Sequence, residues 1–424
     1  MRFSAAYAGY TVCAPSRTTF ITGRNSGRIK GAPGDYPNLP QLLKNGGYIT
    51  AAVGKSAPMD LLEQSYVKEL QWGPPRNYGF DIFYGTPNQT YCKDMYPLLI
   101  WDNDMTVPLP LNRGHKSRDL CMAHPERFNY TSDMYTNAAS AFLRTRGIGD
   151  VNPFFLYVAL TVPHTGWWGE PSDLHGEGQP VPSDFIYANR TGWPQVERDH
   201  AAAVFDLDRR VGHLMTVLKE QGLEEDTVIF FASDNGAHSE GGHDVHFFDS
   251  TGGLRGFKRS FYEGGIRSPS LVRWPGVVKP GSISHTPWAF WDALPTMLDI
   301  GGIPLPKGAS FDGRSIVPAL RGQEMSPPEY MYWTWHKQLW DPNATVPSHD
   351  DHPAGYSVRV GHWKGVVQEC AFRNRPSTFD EMELYNLSSD PFEKTDVSGQ
   401  FPVVAERIKK IIMAKELSCS CWQC

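Results

Sequence analysis

Three short, almost wholly apolar runs set the limits on this fold: Tyr48-Ile49-Thr50-Ala51-Ala52-Val53, Phe154-Phe155-Leu156-Tyr157-Val158-Ala159-Leu160-Thr161-Val162 and Val228-Ile229-Phe230-Phe231-Ala232. They lack the polar alternation of a strand with one wet face, so they read as strands buried on both sides. Between the second and third, Val204, Leu207, Val211, Leu214, Met215 and Leu218 recur at helical spacing, and Gly222 closes the helix. Further helices are expected over residues 39–43, ending at Gly46-Gly47, and over 136–145. Buried strands alternating with helices predict a largely parallel sheet covered on both faces. A strand over 271–274 and a helix over 288–298 extend the pattern. Residues 56–135, rich in Pro, Gly, Tyr and Trp with little periodicity, read as surface loops that shape a pocket.

In such sheets ligands gather beyond the carboxyl ends of the strands. Lys55, His164 and Asp234-Asn235 each stand within a residue or two of such an end. Polar, chemically capable residues delivered to one rim by separate strands predict an active site there. Each has a bland alternative when taken alone: Gly-Lys as a solvated turn, Pro-His as a loop, Asp-Asn-Gly as a common turn.

Near the start, Cys13 precedes Pro15, and a short apolar run stops at Gly23. Proline is favoured at the first position of a helix and glycine just past its end, so Cys13 is expected at a helix N-terminus. Unpaired N–H groups there favour an anion and lower a thiol pKa. A buried apolar filler is the competing reading of one cysteine.

The chain of 424 residues is long enough for a large α/β domain with an appendage. Residues 1–325 are read as the main domain and 326–424, after a Pro-rich break, as a smaller α/β domain of antiparallel hairpins (330–335 and 356–367) with a terminal helix over 402–417. A net charge of −6 gives no general attraction for nucleic acid or an anionic membrane, so an anionic ligand must be drawn by local cations. No apolar run reaches the length of a membrane span, and Met1-Arg2-Phe3-Ser4 does not open a signal peptide. Sequons at Asn88, Asn129, Asn189, Asn343 and Asn386 lean towards a secreted glycoprotein. Of seven cysteines, Cys92, Cys121, Cys370, Cys419, Cys421 and Cys424 could pair once Cys13 is set aside, with connectivity left open. His238, His243 and His246 would suit zinc but lack a matching thiolate or carboxylate pattern, so surface or substrate-rim roles are expected.

Cys13-Ala14-Pro15-Ser16-Arg17 with Thr22-Gly23-Arg24 resembles the sulfatase signature, C-x-P-S-R followed by T-G-R. Further blocks resemble the same family in the same order: Gly54-Lys55, Thr161-Val162-Pro163-His164, Phe231 to Gly236, Leu254-Arg255-Gly256-Phe257-Lys258 with Tyr262-Glu263-Gly264-Gly265, and Glu383 to Leu387. The arylsulfatase and polysaccharide-sulfatase branches look most similar. The resemblance implies an alkaline-phosphatase-like fold, a mostly parallel sheet flanked by helices. It implies hydrolysis of an aryl or carbohydrate sulfate ester, after a formylglycine-generating enzyme has converted Cys13 to formylglycine. The hydrated aldehyde would attack sulfur and then collapse to release sulfate. Calcium, or magnesium in its place, would be held by residue 13, Asp234 and Asn235. Arg17 would hold the modified side chain and the metal-site carboxylates, Lys55 and Lys258 would bind sulfate oxygens, and His164 or Lys258 would protonate the leaving oxygen. A secretory, lysosomal or extracellular location is implied where a signal peptide is present.

Two departures from the family pattern stand out. The resemblance implies an opening strand ending in paired aspartates well upstream of the cysteine, which this chain starts too late to contain. An N-terminal truncation is therefore expected, with unpaired groups on the neighbouring strands and part of the metal site missing. After Lys55, Ser56-Ala57-Pro58 replace a Trp and a His common in relatives. A non-catalytic relative that binds sulfated glycans is the alternative reading; a phosphoesterase is disfavoured, since it would use Ser or Thr.

Overall fold

The computed structural model describes residues 1–29, 33–55, 75–87, 91–113, 122–123, 125, 128–147, 151–166, 178–335, 355–368 and 381–420. A five-stranded sheet is built on β3 (Ile49–Lys55), flanked in parallel by β4 (Ile82–Thr86) and β7 (Phe154–Ala159). Its antiparallel margin is β5 (Leu99–Asp102) and β6 (Met105–Pro108). A second sheet has the order β10-β1-β9-β8: β10 (Ile283–Ser284), β1 (Arg2–Phe3), β9 (Ser270–Arg273) and β8 (Ile229–Ala232). Parallel and antiparallel pairings thus mix in one α/β architecture.

Strands β4 to β6 correct the reading of 56–135 as loops. They are four or five residues long and contain Gly85 and Pro108; β4 draws its order from pairing with distant β3, and β5 and β6 are a local hairpin added to β4. The apolar runs of β7 and β8 are also not buried on both sides. Each closes one end of its sheet, and none of their residues is fully buried, as a ladder edge leaves them open. Ile229 of β8 packs in the same apolar cluster as Phe154 and Leu156 of β7.

Helix α1 (Cys13–Thr22) ends as its sequence predicts. Gly23 takes φ 65° and its N–H bonds Thr19 O at 2.9 Å, a left-handed cap that a Cβ would strain. Phe20 of α1 packs between α2 (Leu39–Asn45) and the later helix Ala293–Ile300, through Leu39, Leu43, Leu294 and Leu298. Residues Thr131–Arg144 form α3 and Gln195–Glu220 form α4, a helix of seven turns as its spacing predicts, although Val204 and Met215 of the expected apolar stripe are exposed. The helix expected over 288–298 starts only at Ala293: Trp288–Ala289 is a strand, β11, paired with β2 (Ala6–Tyr7).

The C-terminal hairpins form one antiparallel sheet, β12 (Met331–Trp335), β13 (Gly355–Val360), β14 (Trp363–Gln368) and β15 (Glu383–Asn386). Its two faces follow the strand period. Tyr332, Tyr356, Val358 and Val367 meet Ala405, Ile408 and Ile412 of the terminal helix Pro402–Ser420. Met331, Trp333 and Val366 meet Tyr7, Tyr10 and Phe261. Trp333 is fully buried and donates through Nε1 to Ala8 O at 3.0 Å, so this sheet braces the chain leading into Cys13.

Candidate active site

Cys13 is the first residue of α1 and is buried. Lys55, at the end of β3, brings Nζ to 3.4 Å from its Sγ. Arg17, four residues along α1, donates through Nη1 to Lys55 O at 2.6 Å and through Nε to Asp234 Oδ2 at 2.8 Å. One guanidinium therefore ties the helix to the end of β3 and to the loop after β8. That loop is fixed by a close backbone approach: Gly236 N bonds Gly265 O at 2.9 Å, and a Cβ on Gly236 would fall 1.9 Å from Gly264 O. Lys258 is anchored by its N–H on Ala237 O at 2.7 Å, and its Nζ reaches His164 Nε2 at 3.0 Å. The sequence-predicted residues Cys13, Arg17, Lys55, His164, Asp234, Asn235 and Lys258 thus lie in one connected cluster around the N-terminus of α1.

Its electrostatics suit an anion. Burial alone would raise the Cys13 thiol, but Lys55 and Arg17 bring it down to about 6. Asp234 lies below the usual carboxylate range, since Arg17 and Lys55 outweigh its burial. His164 is held well below the ordinary imidazole value by burial, then by Lys258 and Lys55. Its Nδ1 lies 2.7 Å from Thr165 O, so the neutral ring carries its proton on Nδ1 and turns the Nε2 lone pair to the Lys258 ammonium.

Sequence reasoning missed Glu240, whose Oε2 lies 2.8 Å from Lys258 Nζ and whose Oε1 lies 2.5 Å from Arg259 Nη1. A carboxylate between Ser239 and Gly241-Gly242 was the available signal. Of the surface or substrate-rim roles expected for the three histidines, the surface role is corrected for two. His238 and His243 are buried, and only His246 is exposed. His243 Nδ1 meets Glu197 Oε2 of α4 at 2.6 Å and stacks on His200 with centroids 3.7 Å apart. The substitutions at 56–58 and cysteines 121, 370, 421 and 424 lie outside the described residues.

Asp234 and Asn235 offer hard oxygen donors, and Asn235 Oδ1 is buried with no hydrogen-bond partner among the described residues. They fit calcium in kind. In number they fall short, for among the described residues no group of three or more His, Cys, Asp or Glu could hold a metal.

A family model described as Sulfatase matches residues 1–303. The chain belongs to the sulfatase family. A second model, N-sulphoglucosamine sulphohydrolase, C-terminal, matches residues 253–417 of this sulfatase. Human arylsulfatase A is 27% identical over 98% of this chain and 80% of its own length. Mouse N-acetylgalactosamine-6-sulfatase is 27% identical over 78% of this chain and 62% of its own length. The chain spans about three fifths of the length of several such relatives. The crystal structure of Ps i-CgsB in complex with k-i-k-neocarrahexaose is similar in fold, with a TM-score of 0.73 at 22% identity, covering 98% of this chain and 84% of that one. Among the described residues no helix is long and apolar enough to cross a membrane.

A pH dependence follows for the chain with Cys13 as a thiol. The thiol value falls from 9.0 to about 6 on folding, so the thiolate adds stability that is fully present above about 9 and lost as pH falls towards 6. Thermal unfolding of the unmodified protein and of Cys13→Ala should diverge between pH 6 and 9, the unmodified chain gaining relative to the variant as pH rises. A constant difference across that range would contradict this account of the thiol.

Proposed function

We propose that this site hydrolyses a sulfate ester, of an aryl alcohol or a carbohydrate, with residue 13 acting as formylglycine. The observation that carries the reading is the buried Cys13 at a helix N-terminus, in contact with Lys55 and under the charges of Arg17 and Lys258, with a neutral His164 against Lys258. A hydrated formylglycine supplies an oxygen nucleophile. Calcium, or magnesium, would be held by Asp234, Asn235 and residue 13, and its chemistry is polarisation of the sulfate oxygens. Lys55 and Lys258 neutralise the sulfate, Arg17 orients Asp234 and the end of β3, and the proton donor to the departing oxygen is His164 or Lys258. The names of relatives, arylsulfatase and N-acetylgalactosamine-6-sulfatase, favour aryl and sugar sulfates as the substrate class. Residues 1–325 would form the catalytic domain and 326–424 the smaller one. A formylglycine-generating enzyme and the secretory pathway, lysosomal or extracellular, belong to the same proposal.

Among the described residues the metal donors are few, which favours a second reading, a non-catalytic relative that binds sulfated glycans. One experiment separates them. The chain is co-expressed with a formylglycine-generating enzyme, and the tryptic peptide containing Cys13 is weighed by mass spectrometry. 4-Nitrophenyl sulfate hydrolysis with calcium and calorimetric binding of a sulfated oligosaccharide are then measured. Conversion of residue 13 with hydrolysis supports the enzyme; binding without hydrolysis in the converted protein supports the second reading. Unmodified cysteine despite the maturation enzyme would sink the formylglycine mechanism.

A further inference from the structure

Glu240 belongs to the loop between Asn235 and Lys258, and the loop is held from two sides. Glu197 of α4 accepts from Asp244 N at 2.8 Å and meets His243 Nδ1 at 2.6 Å. His238 lies with Nε2 2.9 Å from Pro163 O, and its Nδ1 accepts from Glu240 N at 3.2 Å. His238 therefore carries its proton on Nε2 and links the backbone of Glu240 to the residue just before His164. The Glu240 carboxylate is itself clamped, one oxygen on Lys258 and the other on Arg259, and its side chain is only 14% exposed.

An ammonium has three N–H donors. On Lys258 one is directed to Glu240 Oε2 and another to His164 Nε2. Two fixed directions on a tetrahedral nitrogen fix the third. We propose that Glu240 is a positioning residue that aims the remaining Lys258 N–H at the oxygen leaving sulfur. The proposal rests on the hydrolase reading above. In the step it serves, a hydroxyl oxygen of hydrated residue 13 bonds to sulfur and gives its proton to solvent, while the S–O bond to the alcohol breaks and its electron pair stays on the alcohol oxygen. That oxygen takes the proton from Lys258 Nζ, leaving a neutral amine that solvent water reprotonates. His164 and Glu240 keep their protonation states throughout. Facing these groups from neighbouring elements are Lys55, Lys93 and Cys13 towards the His164–Lys258 pair, and Arg259 and His238 towards Glu240.

A leaving group of low basicity needs no proton, whereas an alkoxide does. Glu240→Gln keeps the shape and removes the charge that orients Lys258. In the converted full chain, kcat for an alkyl or sugar sulfate should fall about a hundredfold, and kcat for 4-nitrophenyl sulfate only a few-fold. Glu240→Asp should restore part of the loss, with thermal unfolding confirming that each variant folds. Nitrogen-15 NMR of labelled histidine supplies a readout that does not require turnover. In the unsubstituted chain the His164 ring should appear as the neutral Nδ1–H tautomer with a hydrogen-bonded Nε2, and the Nε2 resonance should shift in Glu240→Gln. Equal losses on both substrates, or an unchanged His164 signature, would overturn the assignment. If the unsubstituted chain hydrolyses neither ester, the hydrolase reading fails while the NMR comparison still decides whether Glu240 orients the pair.

Discussion

Cys13→Ala is expected to lower kcat/KM for sulfate ester hydrolysis by at least about a thousandfold, the scale seen when a covalent nucleophile is removed from otherwise intact machinery. The reason is positional. Residue 13 opens α1, where peptide N–H groups favour developing negative charge, and Lys55 Nζ sits 3.4 Å from its Sγ. No hydroxyl of the same helix is poised to replace it. Ser16 Oγ accepts from Gly9 N, Thr18 Oγ1 donates to Ala14 O, Thr19 Oγ1 to Ser16 O and Thr22 Oγ1 to Thr18 O. The cations remain in Cys13→Ala, so binding of a sulfated ligand should change far less than turnover. Parallel assays of 4-nitrophenyl sulfate hydrolysis and of ligand binding check both halves of this expectation. Hydrolysis that persists in the variant would move the nucleophile elsewhere.

Several members of the cluster were legible because they mark chain features with a local cause: a helix start at Cys13, a strand end at Lys55, a turn at Asp234-Asn235; His164, expected at a strand end, stands in the loop well past the end of β7. What escaped depends on distant partners. Strand β4 takes its order from β3 and β11 from β2, partners distant in sequence, so neither shows a periodicity of its own. Glu240 looked like one polar residue in a Gly-rich loop, and its meaning comes from Lys258 and Arg259, which approach only in the folded chain. His243 read as a surface histidine because nothing nearby in sequence announces Glu197, its partner from α4. The strand runs at 154–159 and 229–232 have the composition of a sheet interior, yet pairing order puts both at sheet ends. Composition reports what a strand's faces tolerate and says little about which edge is paired.

The largest stability effect should come from a residue outside the catalytic cluster. Lys364 on β14 is fully buried between two fully buried carboxylates, Glu263 at 2.9 Å and Glu393 at 2.8 Å. Glu393 also accepts from Glu263 N at 2.6 Å, and Glu263 accepts from the Tyr7 hydroxyl at 2.8 Å. Burial works against the Glu263 carboxylate, but Lys364 and Arg267 hold it below its ordinary value, whereas for Glu393 burial prevails and raises it. Lys364→Met removes the shared cation and leaves two carboxylates facing each other out of water, at a cost of about 3–5 kcal/mol. Denaturant unfolding measures it. Lys364 is the largest influence holding the Glu263 carboxyl down, so its removal moves that carboxyl up and takes away stability that the parent holds above the ordinary carboxyl value. The gap between the variant and the parent should therefore be widest near neutrality and narrow as pH falls below about 4.5. Adding Glu393→Gln should recover part of the loss, since one buried charge is then removed with its partner. Glu263 begins the turn whose Gly264 and Gly265 back Gly236, so Lys364→Met should also loosen the Asp234-Asn235 loop and reduce activity under conditions where the chain is still folded. A variant as stable as its parent at pH 7 would show that the triad is neutral to the fold.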